Sequence, residues 1–145
     1  MGDYAWAILG GTLAYAASLI PQAAKDVVAI DDAMKLGYNW KAGPFEMIDR
    51  IGAAYLVRKL EADGQPVPDL LKLAGDRSFY RVENGKRQYL GVDGDYHDIV
   101  RPEGVLRLED VKLASQPLLR NGSAALWDVG DGIACLEFTG KMNAL

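Results

Sequence analysis

The hydrophobic period of the chain changes near residue 76, and this change limits the folds that the sequence can adopt. In residues 4–20, apolar side chains recur at intervals of three and four, which is the spacing of one helix face. In residues 79–90, FYRVENGKRQYL, an Asn-Gly pair interrupts an extended segment, as in a two-residue β-hairpin. The sequence therefore predicts a fold that is mainly α with β-hairpins, with a domain boundary near residue 76.

The first predicted helix, residues 4–20, is apolar enough to raise the question of a membrane span or a signal peptide. It lacks a basic segment before it, Asp3 precedes it, and it is shorter than the roughly 20 apolar residues that a span needs. We expect a deeply buried helix instead. Gly10 and Gly11 would make one side thin, so that a neighbouring helix could approach closely.

Four further helices are predicted from glycine and proline signals at their ends. The second carries Val27, Ile30 and Met34 and is expected to end at Gly37, as a left-handed cap. Proline is favoured in the first turn of a helix, where its missing N–H costs nothing. The remaining helices are predicted to begin at Pro44, to run over residues 53–62, and to begin at Pro68 and stop at Gly75.

The second half of the chain reads as two hairpins with a short helix between them. In the first hairpin the Asn-Gly loop sets Glu83 opposite Lys86 and Tyr80 opposite Tyr89. Residues 91–107 are rich in turn formers, and residues 108–115 could form one short helix. The second hairpin is residues 124–140.

The second arm of this last hairpin, Ile133 to Phe138, is nearly all apolar. A strand of that composition is typical of one that is covered on both faces. We therefore expect the hairpin to fold back on the helical part or onto another chain, because exposed strand edges invite pairing.

Composition narrows the classes of protein to consider. The chain has 145 residues, half of them hydrophobic, which suits one domain or one domain with an extension. The net charge of −4 and the absence of a basic run argue against a nucleic-acid surface. The single cysteine, Cys135, cannot form an internal disulfide and fits a reducing, cytoplasmic compartment.

Candidate catalytic residues are few. His97, the lone histidine, is flanked by Asp95 and Asp98, and a general base would need such a partner. Neighbouring residues of an extended segment point to opposite faces, so adjacency alone does not make a dyad, and a loop histidine is the alternative. Cys135 lies within an apolar strand and is expected to be a small core residue rather than a nucleophile.

Two other groups of residues have both a structural and a functional interpretation. Asp31, Asp32, Glu46 and Asp49 could form a carboxylate cluster, but acids are also favoured at helix starts as caps. Trp6 and Trp40 could line a ligand groove or pack in the core. Gly10-Gly11 is no dinucleotide loop, no phosphate-binding loop occurs, and one histidine without a cysteine cluster argues against zinc.

Residues 30–52, IDDAMKLGYNWKAGPFEMIDRIG, resemble the C-terminal-domain signature of the 3-hydroxyacyl-CoA dehydrogenases. In that family an I-D-x-A-M-x-x-G helix leads into G-P-F-E-x-x-D-x-x-G. The matching residues are Ile30, Asp31, Ala33, Met34, Gly37, Gly43, Pro44, Phe45, Glu46, Asp49 and Gly52. The resemblance implies a helical domain over about residues 4–75, in which Gly43 and Pro44 fix a turn and Glu46 and Asp49 cap or pair.

Residues 125–145 carry a second resemblance, to the opening hairpin of an enoyl-CoA hydratase (crotonase-type) domain. There a G-x-A-x-L-x-F strand runs into an N-A-L segment. The matching residues are Gly132, Ala134, Leu136, Phe138, Asn143, Ala144 and Leu145. Together the two resemblances imply three parts: a helical dehydrogenase C-terminal-type domain (1–76), a hairpin and linker (77–121), and the truncated start of a hydratase-like domain (122–145).

The function implied by the resemblances belongs to a larger, multifunctional β-oxidation protein. Such a parent would oxidise 3-hydroxyacyl-CoA with NAD and hydrate trans-2-enoyl-CoA, with the catalytic histidine and the nucleotide-binding domain outside this chain. We therefore expect no catalytic, cofactor-binding or metal-binding residue here, and a packing or lid role against the rest of the parent polypeptide. The alternatives are a helical dimerisation module without chemistry and, from the residues alone, a small hydrolase using His97.

Overall fold

The computed structural model describes the backbone of residues 2–140 and the side chains of residues 4–140. Its contacts divide it into two compact units: residues up to 81 together with 88–99, and residues 82–87 together with those from 100 onward. Within these described residues, six helices and two small antiparallel sheets confirm the predicted mainly α fold with a β extension. The helices are α1 (Gly2–Ser18), α2 (Val27–Tyr38), α3 (Pro44–Ile51), α4 (Ala53–Ala62), α5 (Asp69–Ala74) and α6 (Leu108–Ala114). The strands are β1 (Tyr80–Glu83), β2 (Lys86–Leu90), β3 (Tyr96–Asp98), β4 (Leu119–Arg120), β5 (Ala124–Gly130) and β6 (Ile133–Phe138).

The core of the first unit is formed by apolar side chains from the helices and from the start of the hairpin. Helix α3 places Phe45 and Ile48, three positions apart, on one buried face. Phe45 meets Phe79 edge to face, with the ring centroids 4.9 Å apart. The other fully buried members of this core include Leu13, Val27, Leu56, Leu71 and Leu90.

The predicted starts of three helices are confirmed, and each follows from a local signal. Pro44 occupies the first turn of α3, α4 runs over Ala53–Ala62 as expected, and Pro68 stands directly before α5. Gly75 follows α5 with a φ of 58°, a left-handed value that favours glycine.

The predicted end of α2 is wrong by two residues. Gly37 lies inside α2, and the left-handed position belongs to Asn39, whose φ is 56°. Asparagine is the residue other than glycine that most readily takes this conformation. The helix therefore continues through Gly37, which does not act as its C-cap, and Asn39 takes the left-handed cap position instead.

The expectation of a deeply buried first helix is also wrong. Helix α1 buries one face, which includes Leu13, while Tyr4, Ile8 and Tyr15 on the other face are exposed. A Cβ on Gly10 would lie 3.3 Å from the ring of Trp6, so the thin side is filled by the helix's own tryptophan rather than by a neighbouring helix. No helix in the described part of the chain combines the length and the apolar character that crossing a bilayer requires.

The sheet β1-β2-β3 contains the predicted Asn-Gly hairpin. Asn84 and Gly85 have φ values of 52° and 72°, as a type I′ turn requires. Strand β3 was not predicted; it lies in the turn-rich segment and pairs with β2, with His97 opposite Tyr89.

The second unit contains the sheet β4-β5-β6 and α6. Asp131 and Gly132, both with positive φ, form the loop of the predicted second hairpin, and a register irregularity lies between Asp128 and Gly130. The expectation that β6 is covered on both faces is wrong within this chain: Leu136 and Phe138 are exposed.

Candidate functional site

The residues of the Gly-Pro signature meet at the start of α3, and Asp31 lies at their centre. Asp31, on α2, is almost completely buried. Its Oδ1 accepts a hydrogen bond from Phe45 N at 2.8 Å and its Oδ2 accepts one from Glu46 N at 3.1 Å. The first N–H groups of a helix have no partner within the helix and need a capping group. A carboxylate from another helix, 14 residues earlier in the chain, supplies that cap here.

Gly43 is the N-cap residue of α3 and has no side chain that could do this work itself. Its φ of −73° is available to any residue, so backbone strain does not require a glycine. Space does require it: a Cβ on Gly43 would lie 2.2 Å from Asp31 Cγ and 2.4 Å from both Cβ and Oδ1. The carboxylate of Asp31 thus fills the place where any other residue would carry its side chain.

Glu46 completes the cap from inside α3. Its Oε2 accepts a hydrogen bond from Gly43 N at 3.0 Å, which is half of a capping box. Its Oε1 lies 2.9 Å from Lys35 Nζ, in a partly buried ion pair, and the same Nζ is 3.7 Å from Asp32 Oδ1. Glu46 therefore holds the start of α3 and ties it to α2.

Asp49, one turn further along α3, caps a different element. Its Oδ1 accepts a hydrogen bond from Phe79 N at 2.6 Å and its Oδ2 accepts one from Tyr80 N at 2.8 Å. These bonds fix the first residues of the hairpin against α3, next to the contact between Phe45 and Phe79. The interpretation of Glu46 and Asp49 as residues that cap or pair is confirmed.

Burial changes the acidity of Asp31. Loss of hydration raises the pKa of this carboxyl to about 6, against the lowering effect of the hydrogen bonds from Phe45, Glu46 and the Tyr80 side chain. Both oxygens receive backbone N–H groups, so the carboxylate is directed toward the start of α3. Its geometry is that of a structural cap.

The structure gives His97 a different partner from either residue considered in the sequence. His97 Nε2 lies 2.8 Å from Asp93 Oδ2, in an exposed pair. This hydrogen bond is the main cause that lowers the pKa of Asp93. Asp98 accepts a hydrogen bond from Gln88 Nε2 at 2.7 Å, and Asp95 donates its backbone N–H to Asp93 at 3.1 Å. The pairing of His97 with Asp95 or Asp98 is therefore wrong.

The other candidates are not gathered into one site. Trp6 lines a cleft of about 460 Å³ together with Gly11, Lys59, Asp63 and Gln65, and it contacts Tyr55 edge to face at 5.7 Å. The residues that line this cleft do not include Trp40. Cys135 is half-buried opposite Trp127 on the β5–β6 hairpin. Among the described residues, no cluster of His, Cys, Asp or Glu could hold a metal ion.

Two polar partners, Lys35 and Asp93, were not predicted from the sequence, and both had a weak signal. Lys35 stands three residues after Asp32, a spacing that puts both on one face of α2. Asp93 stands four residues before His97, and Gly94, with a φ of 86°, turns the chain between them. Neither spacing alone identifies a contact across a turn.

Comparison of the chain with known proteins identifies its family. Residues 4–89 match the family "3-hydroxyacyl-CoA dehydrogenase, C-terminal domain". A Bacillus subtilis protein named "Probable 3-hydroxyacyl-CoA dehydrogenase" is 38% identical over 147 residues, which is 99% of this chain and 18% of the relative. A Rickettsia felis protein named "Putative fatty acid oxidation complex trifunctional enzyme" is 29% identical over 134 residues, 90% of this chain and 16% of the relative. No solved structure matches the chain.

The chain thus spans less than a fifth of the length of these relatives. The family match ends at residue 89, so the resemblance of residues 125–145 to an enoyl-CoA hydratase stays a prediction. The match covers all of the signature whose capping contacts are described above, and it confirms the first resemblance. The chain belongs to the 3-hydroxyacyl-CoA dehydrogenase C-terminal domain family.

Proposed function

We propose that this chain is a noncatalytic segment of a larger NAD-dependent 3-hydroxyacyl-CoA dehydrogenase, which oxidises 3-hydroxyacyl-CoA to 3-ketoacyl-CoA in fatty-acid β-oxidation. One observation carries the proposal beyond the family match. The acidic residues of the signature, Asp31, Glu46 and Asp49, all accept hydrogen bonds from backbone N–H groups. These three residues stabilise the helical unit, and in this proposal the catalytic residues lie in other parts of the polypeptide.

The catalytic residues and the NAD site are accordingly assigned to the remainder of the parent protein. Residues 1–145 would contribute no catalytic, cofactor-binding or metal-binding side chain, and the helical body would close the substrate cleft or pack against neighbouring domains. Acyl-CoA is the substrate class of the parent, and the cytoplasm is its proposed location. The chain does not bind nucleic acid in this proposal.

The tail is proposed to begin a second domain, of the enoyl-CoA hydratase type, after the divisions at residues 76 and 121. The Bacillus subtilis relative aligns along 99% of this chain, so the similarity continues past the end of the family match. The Rickettsia felis relative is named as a trifunctional enzyme of fatty acid oxidation. A parent that carries a hydratase next to the dehydrogenase accounts for both observations.

The test compares residues 1–145 with the polypeptide of the whole reading frame that contains them. Calorimetry should give no NAD binding at micromolar concentrations for residues 1–145, and these residues should not oxidise 3-hydroxyacyl-CoA. The longer polypeptide should do both. Micromolar binding of NAD by residues 1–145, or a longer polypeptide without dehydrogenase activity, would contradict the proposal.

A second candidate function, dimerisation through α1, is favoured by one exposed stripe. Tyr4, Ile8, Gly11 and Tyr15 are spaced by four, three and four residues and so share one face of α1, and all of them are exposed. The test is light scattering on a sizing column. An Ile8→Lys substitution should shift a dimer to a monomer, while Leu36→Lys, at an exposed position of α2, should not. A wild-type chain that stays monomeric at high concentration would count against this function.

A further inference from the structure

The cleft beside Trp6 lies within the first unit, and its volume of about 460 Å³ is in the range of small-molecule sites. Helix α1 forms one wall and contributes Trp6. The end of α4 and the turn after it form the other wall, with Lys59, Asp63 and Gln65. Leu60, which is only 3% exposed, adds an apolar surface. The lining therefore combines an aromatic ring, a cation, an anion and an amide.

The ring of Trp6 is held in place by its neighbours. Tyr55 contacts it edge to face, with the ring centroids 5.7 Å apart. A Cβ on Gly10 would lie 3.3 Å from the indole, so the absence of a side chain there makes room for the ring. A Cβ on Gly11 would meet no described atom within 4 Å, so the cleft is open beside the ring. A ring that is already positioned loses little conformational freedom when a second ring packs on it.

Lys59 and Asp63 carry opposite charges one helical turn apart, where Cβ atoms are about 5–6 Å from each other. Neither side chain forms an ion pair with any residue in the described part of the chain. Lysine before aspartate is the less favourable order for such a pair. Lys59 Nζ lies instead 5.7 Å from the centroid of the Trp6 ring. Both charges at the cleft are therefore available to a ligand.

These two charges determine which ligands fit the cleft. A simple anion would be attracted by Lys59 but repelled by Asp63, and a simple cation would meet the reverse. A zwitterion with a carboxylate and an ammonium group on one carbon atom pairs with both side chains at once. The C-terminal end of α4, which Asp63 caps, carries the negative end of the helix dipole and further favours an ammonium group there.

We propose that the cleft binds a free α-amino acid with an aromatic side chain. The carboxylate pairs with Lys59, the ammonium group pairs with Asp63, and the aromatic ring packs on Trp6. The amide of Gln65 can donate to the carboxylate or accept from the ammonium group. An amino acid within a peptide has lost at least one of the two charges, so the free form is the ligand. The inference goes beyond the proposed function and does not rest on it, because none of these residues belongs to the signature at 30–52.

The test is a titration of residues 1–145 with L-phenylalanine, followed by NMR of the Trp6 indole N–H, which a Trp6→Phe variant identifies. We expect a saturable shift with a dissociation constant on the order of 1 mM for a ligand of this size. Two probes each keep the ring and one charge: 3-phenylpropionate lacks the ammonium group and phenethylamine lacks the carboxylate. Both should bind at least tenfold more weakly than L-phenylalanine.

Two substitutions assign each charge to its partner. Lys59→Met should weaken L-phenylalanine at least tenfold and should strengthen phenethylamine, because the repulsion of its ammonium group is removed. Asp63→Asn should weaken L-phenylalanine at least tenfold and should strengthen 3-phenylpropionate for the corresponding reason. Arg58→Met is the matched control, since Arg58 is an exposed cation of α4 that does not line the cleft. This variant should bind L-phenylalanine as the wild type does.

Several results would overturn the proposal. One is the absence of a saturable shift up to about ten times the expected dissociation constant. Equal binding of all three probes would show an apolar cleft without charge recognition, and equal weakening by Lys59→Met and Arg58→Met would show a general effect of charge. A Trp6 indole shift that follows protein concentration in the absence of ligand would show that a second copy occupies the cleft. Circular dichroism of each variant checks that the fold is retained.

Discussion

Replacing Gly43 with alanine isolates the role of the Asp31 cap. The φ of −73° at Gly43 suits alanine, so no backbone strain accompanies the change. The added Cβ would lie 2.2 Å from Asp31 Cγ, a distance that real Cβ atoms do not tolerate, and either Asp31 or the start of α3 must shift. Asp31 is almost completely buried, so a shift of its carboxylate would break or lengthen the hydrogen bonds to Phe45 N and Glu46 N.

The expected cost follows from these contacts. Hydrogen bonds to a charged group contribute about 1.5–3 kcal/mol each, and overpacking a tight site costs about 1–3 kcal/mol. Alanine also stabilises the folded state by about 0.4–1 kcal/mol, because it lowers the conformational entropy of the unfolded chain. We expect a net loss of about 3–8 kcal/mol, which is a large part of the roughly 5–15 kcal/mol that stabilises a typical domain. With a urea slope of about 2 kcal/mol/M, the unfolding midpoint should fall by about 1.5–4 M.

The assay is urea unfolding followed by circular dichroism at 222 nm, with Gly37→Ala as the matched control. Gly37 lies within α2, and a Cβ there would meet no described atom within 4 Å. This variant should gain about 0.5–1 kcal/mol, the usual benefit of alanine inside a helix. In an Asp31→Ala background, Gly43→Ala should cost less, because the carboxylate is already gone. A Gly43→Ala midpoint equal to that of the wild type, or strict additivity with Asp31→Ala, would refute the reasoning.

Three further predictions concern the remaining polar contacts. Burial raises the pKa of Asp31 from 3.8 to about 6, so the protonated carboxyl is favoured in the folded chain relative to the unfolded chain. This difference contributes about 3 kcal/mol to the free energy of unfolding below pH 3.8, and the contribution is lost as the pH rises through 6. Asp31→Asn should remove this component, seen as a difference in urea midpoints between pH 4 and 7; an unchanged pH dependence would count against it. Asp49→Asn should cost about 1–3 kcal/mol and speed hydrogen exchange at the amides of Phe79 and Tyr80, whereas exchange at wild-type rates would argue that Asp49 does not cap the hairpin. His97→Ala should leave the dehydrogenase activity of the longer polypeptide unchanged, and a loss of its kcat would restore His97 as a catalytic candidate.

Much of the fold could be predicted because its determinants are local. Pro44 at the start of α3 and the Asn84-Gly85 turn act through the backbone geometry of one or two residues, and both are confirmed. The end of α2 failed for a related reason. Gly37 and Asn39 carry similar local signals, because both residue types tolerate a left-handed backbone, and the helix ends with Asn39 rather than Gly37 as its left-handed cap.

The candidate site depends on contacts that no local pattern encodes. Asp31 meets α3 across 14 residues, and Asp49 meets the hairpin across 30. The sequence indicated that these carboxylates act as caps. It did not identify the N–H groups that they accept from, because each carboxylate and its N–H donors lie on different elements. The need for glycine at position 43 has the same origin, since it comes from the side chain of Asp31 and not from the dihedral angles of Gly43.

These contacts support the proposal that the acids of the signature have a structural role. A general base needs an accessible lone pair near the substrate, in a geometry where the proton can be transferred. The carboxylate of Asp31 receives an N–H group on each oxygen and so does that of Asp49, while Glu46 accepts from Gly43 N and pairs with Lys35. Removing any of these carboxylates should therefore lower the stability of the helical unit before it changes a rate constant. The residues of the signature hold α2, α3 and the hairpin together. A catalytic domain elsewhere in the polypeptide would need such a stable helical unit to pack against.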